Sequence, residues 1–169
     1  IAVLPFVNMS SDPEQEYFSD GLSEELLNLL AKIPELRVAA RTSAFAYKGK
    51  DVKLSDVGRE FDVGHILEGS VRKSGNRIRI TAQLIEVETD AHLWSDTWDR
   101  DLDDVFEIQS LIAQKVVQQL GVVLQERELA AIQVRPTGNL NAYHAYLKGL
   151  HYAGQPHFSI ANHENALES

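Results

Sequence analysis

The sequence predicts an α/β fold of the α+β kind, a mixed sheet of about five strands with helices packed on it, followed by a helical C-terminal extension. Three observations carry this. Residues 66–100, ILEGSVRKSGNRIRITAQLIEVETDAHLWSDTWDR, divide into three strand-length segments joined by turn-forming residues. In the middle segment Ile78, Ile80, Ala82 and Leu84 alternate with Arg77, Arg79, Thr81 and Gln83, the period of two expected when one sheet face is buried and the other is left polar. The opening of the chain reads strand, helix, strand, an order and length that imply a right-handed crossover to a parallel neighbour.

Residues 1–7 (IAVLPFV) are β-branched and aromatic, as suits a strand buried on both faces, and Pro5 restricts it to an edge or a strand end. Asp12 before Pro13 marks a helix start, with the carboxylate capping free amides and proline in the first helical position. Leu22, Leu26, Leu27, Leu29, Leu30 and Ile33 form the apolar face of that helix, and Pro34 stops it. Residues 36–40 (LRVAA) read as the next strand, which places Arg41, Thr42 and Ser43 beyond its C-terminal end, the rim where open α/β sheets hold ligands. A turn-rich stretch follows, then a short helix over 55–61 capped by Ser55 and closed by Gly64. The three antiparallel strands come next, turning at 74–76 (SGN) and 88–90 (ETD). The longest helix is expected over 101–124, with Val105, Ile108, Ile112, Val116, Leu120 and Leu124 in one stripe. Residues 125–139, polar and holding Pro136 and Gly138, read as a linker between a domain at 1–124 and a helical hairpin at 140–169.

Composition narrows the function. A chain of 169 residues is long enough to bury one real core. Its net charge of −9 and pI near 5.1 oppose the long-range attraction of nucleic acid and anionic membranes, so nucleic acid is not the expected partner. With no cysteine there are neither disulfides nor thiolate metal sites, which leaves the redox compartment open. No apolar run approaches the ~20 residues that span a bilayer, so no direct membrane insertion is expected. The start at Ile1, inside an apolar strand, reads as a piece cut from a longer protein.

The series IAVLPF, YFSDGLSEELLNLL, ARTSAFAYKG, LEGSVRKSGNRIRITAQLIEVETDAHLW and WDRDLDDVFEIQ resembles the TolB amino-terminal-like domain of bacterial multidomain regulators over about the first 124 residues. The resemblance implies a non-catalytic accessory domain. In such regulators it often follows a transmembrane helix and precedes tetratricopeptide repeats, and the output unit is a class III adenylate or guanylate cyclase or a winged-helix DNA-binding domain, neither of which is present here. A periplasmic position in an inner-membrane parent follows by analogy, with a cytoplasmic one as the alternative. The tail, AYHAYLKGLHYAGQPHFSIANHENALES, resembles a tetratricopeptide repeat through the spacing of Gly149, Tyr152 and Ala161. Lys148 departs from that pattern, and an ordinary helical extension is the plainer alternative.

The candidate sites are few. Asp99, Asp101 and Asp103 alternate as in a calcium loop, but Asp104 stands where that loop needs glycine and Ser110 where it needs glutamate, so no metal is expected there. His144, His151, His157 and His163 crowd the tail without the four-residue spacing of helical metal ligands. Ser70 in EGSV lacks the second glycine of a nucleophile elbow, and no nucleophile, acid–base pair or cofactor fingerprint is found. Two groups remain as ligand or partner sites. Arg72, Arg77 and Arg79 with Trp94 and Trp98 would form a cationic, aromatic surface; the plainer alternative is a solvated strand face with tryptophans on the core. Asp20, Arg41, Ser43 and Glu68 lie near element ends that could converge at the sheet rim; the plainer alternative is a buried Asp–Arg pair.

The expectation is a regulatory or protein-interaction module binding a partner protein, its own upstream output domain or a small ligand, with homodimerisation open. Two alternatives stand beside it: an accessory part of a nucleotide cyclase polypeptide whose catalytic domain lies elsewhere, and a structural oligomerisation spacer.

Overall fold

A computed structural model describes residues 1–133 and 135–153. Five strands form one mixed sheet: β1 (Ala2–Val3), β2 (Val7–Asn8), β3 (His65–Ser74), β4 (Arg77–Glu86) and β5 (Ala91–Asp101). β3, β4 and β5 are the expected antiparallel meander, and β1 and β2 both run parallel to β3 on its other side. Pro5 divides the first apolar run into those two short strands. The Phe6 amide that follows it turns away from the sheet and donates to Ser23 Oγ at 2.8 Å.

The helices are α1 (Glu16–Ala31), α2 (Arg41–Phe45), α3 (Leu54–Phe61), α4 (Val105–Gln119), α5 (Glu126–Ile132) and α6 (Leu140–Ala153). Asp12 caps a 3-10 turn at Pro13–Gln15 that leads into α1, its carboxylate accepting from the Glu14 amide at 2.9 Å. α1 and α4 cover one face of the sheet. Ile78, Ile80, Ala82 and Leu84 of β4 are almost wholly buried there with Phe18, Leu22, Leu26, Ile112 and Val116, each large side chain contributing about 1.5–3 kcal/mol. A second, smaller cluster (Ala2, Leu4, Ala44, Val57, Val63 and Ile66) lies where α2 and α3 cover one end of the opposite face.

Several boundaries differ from those read in the sequence. Residues 36–40 are extended but form no strand of the sheet. Their link to it is a pair of bonds bracketing Ile1, Ile1 N to Arg37 O at 2.8 Å and Ala39 N to Ile1 O at 2.9 Å, the pattern of a parallel pair. α2 starts immediately after them, so Arg41, Thr42 and Ser43, expected as a rim beyond a strand end, are its first residues. α3 begins at Leu54 behind Lys53, so Ser55 lies inside its first turn and caps nothing, and Asp62 at φ 50° closes it, ahead of Gly64. The fourth helix is shorter than 101–124 because β5 persists to Asp101 and a 3-10 turn (Leu102–Asp104) intervenes. It ends where Gly121 takes φ +70° and Val122 N bonds back to Val117 O. Among the described residues α1, not α4, is the longest helix. Within 125–139 the chain forms α5, whose Ile132 is fully buried and receives Ser110 Oγ on its carbonyl at 2.8 Å. α6 lies against α1 through Tyr143 and Leu147. The second helix of the expected hairpin, with Ala161, His157 and His163, lies outside the described residues.

Candidate recognition surface

Alternation along β3, β4 and β5 sends every second side chain to the face away from α1 and α4. The two-residue turn at Gly75–Asn76 sets the register, so that face is built in rows: Glu68, Gln83 and Ser95; Ser70, Thr81 and Thr97; Arg72, Arg79 and Asp99. No described helix covers the middle of it. The connection between α2 and α3 overhangs its edge and encloses a cleft of about 430 Å³. Glu68, Ser70, Thr81 and Gln83 form the floor, and Leu4, Pro5, Val7, Tyr47 and Val52 stand in the walls. Gln83 Nε2 donates to Glu68 Oε1 at 2.6 Å, and the hydroxyls of Thr81 and Thr97 lie 3.1 Å apart. Val7 and Met9, 61% and 51% exposed, add apolar surface along the same margin. Lys48, Lys50 and Asp51 add charge to the overhanging side, and hydrogen-bonding groups in a partly apolar cleft bind and orient. Ser70 has Thr81 and Val7 as its strand partners.

The expected arginines lie on this face but are already engaged. Arg77 meets Asp99 at 2.7 Å and Asp101 at 3.1 Å, and Arg79 meets Asp99 at 2.5 Å. Hydrogen bonds from Arg79 and Arg77 hold the Asp99 carboxyl below the usual carboxylate range. Arg72 Nε donates to the Met9 carbonyl at 3.2 Å. Trp94 stands opposite Leu84 and Trp98 opposite Ile80, which puts both indoles on the helix-covered face, their rings 5.8 Å apart. Arginines and tryptophans therefore lie on opposite sides of the sheet and form no common surface.

The second expected group is also dispersed. Glu68 is in the cleft floor and Ser43 is exposed on α2. Arg41 Nε pairs with Glu24 Oε2 at 2.7 Å and its guanidinium lies 4.2 Å over the Phe45 ring. Asp20 is 5% exposed, and its carboxylate takes Lys48 Nζ at 2.6 Å and His151 Nδ1 at 2.8 Å. Burial opposes its ionisation, but the hydrogen bonds from His151 and Lys48 outweigh this and hold the carboxyl below its ordinary range. Lys48 also lines the cleft, so one short connection touches both the cleft and the α1–α6 seam.

That seam holds further pairs that sequence reading missed. Tyr17 Oη and His144 Nδ1 lie 2.9 Å apart and Tyr146 donates to Glu25 at 2.9 Å, while beside the seam, where α6 meets α4, buried Gln109 Nε2 donates to Tyr143 Oη at 2.6 Å. Burial lowers His144, while burial and the Glu25 carboxylate push the Tyr146 phenol up to about 12. Among the described residues no group of three or more His, Cys, Asp or Glu is placed to hold a metal ion, and no helix is long and apolar enough to cross a membrane.

No family model matches the chain. It is 50% identical over 128 residues to "Putative adenylate cyclase 3" of Rhizobium meliloti (strain 1021), a match covering 76% of this chain and 22% of that protein. Among solved structures, TolB from Acinetobacter baumannii aligns with a TM-score of 0.52 at 14% identity, over 70% of this chain and 27% of that one. A lipoprotein from Neisseria meningitidis aligns with a TM-score of 0.49 at 17% identity, over 73% and 97%. The likeness to TolB is one of fold, and the chain spans about a fifth of the length of its cyclase-named relative.

Proposed function

We propose that this chain is a non-catalytic accessory module of a larger bacterial signalling polypeptide, and that it binds a partner protein, its own output domain or a small ligand on the open face of its sheet. The observation that carries the reading is the uncovered cleft: a polar floor of Glu68, Ser70, Thr81 and Gln83 under walls that are apolar apart from Lys48, Lys50 and Asp51, on the face of the sheet opposite the one that α1 and α4 cover. Arg72, Arg77 and Arg79 border the same face and are the residues a larger partner would meet beyond the cleft. The extent of the match, a minor part of a protein named as a cyclase, supports an output domain elsewhere in the parent. The α6 sequence, with Gly149 and Tyr152 at repeat spacing, supports a continuation into helical repeats beyond a domain at 1–124.

A screen of thermal shifts against nucleotides, amino acids, sugars and short peptides tests the small-ligand form, with Ser70→Trp as the variant that fills the cleft. A dose-dependent rise in melting temperature that disappears in Ser70→Trp supports it. The protein form is tested by a photo-crosslinking residue at position 83 of the full-length parent. Crosslinks to one domain or partner support the reading, and absence of both a ligand shift and a crosslink removes the open face as a recognition site.

A further inference from the structure

The geometry points to a second interaction surface, the edge of β5 that no described strand pairs with, built to add an extended, basic segment of another protein as a sixth strand. β5 is the terminal strand in the sheet order, 11 residues long and exposed over most of its length. Within a strand the amide and carbonyl of one residue point to the same edge and those of the next to the other. Leu102 N bonds to Asn76 O at 2.8 Å, so even-numbered residues face β4. Thr97 N is taken by the Asp96 carboxylate at 2.8 Å, and Asp99 O by Arg100 Nη1 at 3.3 Å, which marks the odd-numbered residues as edge-facing. Ser95, Thr97 and Asp99 thus present a row of main-chain donors and acceptors held only by local side chains that an incoming strand displaces.

Charge selects the occupant. From Glu86 to Glu107 the chain carries nine carboxylates and a single arginine, so the acidic excess of the whole protein is concentrated on β5 and its flanks. Asp99 and Asp101 are neutralised by Arg77 and Arg79, but Asp103, Asp104 and Glu107, three carboxylates to the single cation Arg135, line a concave site of about 440 Å³ just beyond the end of the strand. A second copy of this chain would bring its own nine carboxylates to the same edge and be repelled. A segment with Lys or Arg at alternate positions and apolar residues between them fits: its basic side chains fall beside the acidic flank, and its apolar ones beside half-buried Trp94 on the helix-covered face.

The test uses the whole chain and a synthetic peptide of alternating lysine and valine, followed by amide chemical shifts and hydrogen exchange. Binding that slows exchange at Ser95, Thr97 and Asp99, weakens with salt and is lost when alternate peptide amides are N-methylated is the expected result. Thr97→Pro removes an edge-facing donor without touching the β4 ladder, and should weaken binding about tenfold or more while far-UV dichroism is retained. Asp103→Lys with Asp104→Lys keeps the edge and reverses the charge, and should also weaken binding. Equal binding by the N-methylated peptide, protection confined to another surface, or no binding at low salt overturns the proposal.

Discussion

A Cβ atom on Gly21 would lie 2.5 Å from Cδ2 and 3.0 Å from Cβ of Leu147, so α1 and α6 meet as closely as they do because position 21 has no side chain. Leu147 is fully buried in that space. A methyl group at 21 cannot be absorbed by a rotamer change alone, because Leu147 Cβ is also in the way, and α6 must shift. Gly21→Ala is expected to cost about 1–3 kcal/mol and Leu147→Ala about 2–5 kcal/mol. The double variant should cost less than the sum, since the smaller side chain at 147 makes room for the methyl at 21. Urea unfolding of the four proteins measures the coupling, and strict additivity would refute the close contact.

Tyr143 and Gln109 tie α6 to α4 in a site without solvent. Burial pushes the Tyr143 phenol well above its ordinary range. Tyr143→Phe keeps the ring against Phe106, 4.5 Å between centroids, but strands the Gln109 amide, and is expected to cost about 1–3 kcal/mol. Tyr143→Phe with Gln109→Leu should recover part of that loss, measured by the urea midpoint. Ultraviolet titration of the native protein should show one tyrosine that ionises only as the chain unfolds in alkali.

The meander was legible because its signals are local. Strict alternation named the buried side of β4, but the turn expected over 74–76 is a two-residue one at Gly75–Asn76, and that one-residue difference is what sets Glu68 opposite Gln83 and Ser70 opposite Thr81 in the cleft floor. The position of Trp94 was not legible in this way. The β4–β5 connection is longer and a register shift at Leu84/Ile85 breaks the count, so the face carrying both indoles depends on an irregularity that no residue type announces. Asp20 stands out in the sequence, but its partners are Lys48 and His151 rather than Arg41, which pairs with Glu24. Those partners are 28 and 131 positions away: the α2–α3 connection brings in Lys48, and the packing of α6 on Gly21 brings in His151. Residues 36–40 have strand composition, yet Ile1 alone links them to the sheet, through Arg37 O and Ala39 N, and composition does not reveal how much edge a neighbour provides.

The two sides of β5 should respond differently to truncation. Trp98→Ala opens the core beneath Ile80, at an expected cost of about 3–5 kcal/mol. Arg79→Ala removes one arm of an exposed ion network and should leave the melting temperature at moderate salt almost unchanged. Thermal unfolding of both variants checks the face assignment, and a large loss in Arg79→Ala would contradict it.

Asp20 should govern the acid limb of stability. Its carboxyl is held below the ordinary range in the fold by His151 and Lys48, with Glu16 also on the Lys48 ammonium at 2.8 Å. A carboxyl depressed in the folded state contributes stability that is fully present above its unfolded pKa, near 3.8, and is lost as pH falls through the lower folded value. Asp20→Asn keeps the shape and removes the charge. The variant should therefore be less stable than wild type above the carboxylate range, and the gap should close as the solution is acidified below it. His144 acts at a higher pH: burial lowers it from 6.5, so the unfolded chain binds that proton first and stability falls as pH drops below 6.5. His144→Gln should flatten this segment and leave the more acidic one in place. Urea midpoints from pH 7.5 down to 3, at constant ionic strength, separate the two groups; a gap between wild type and Asp20→Asn that does not change across the acid range would mean the carboxylate is not held by Lys48 and His151.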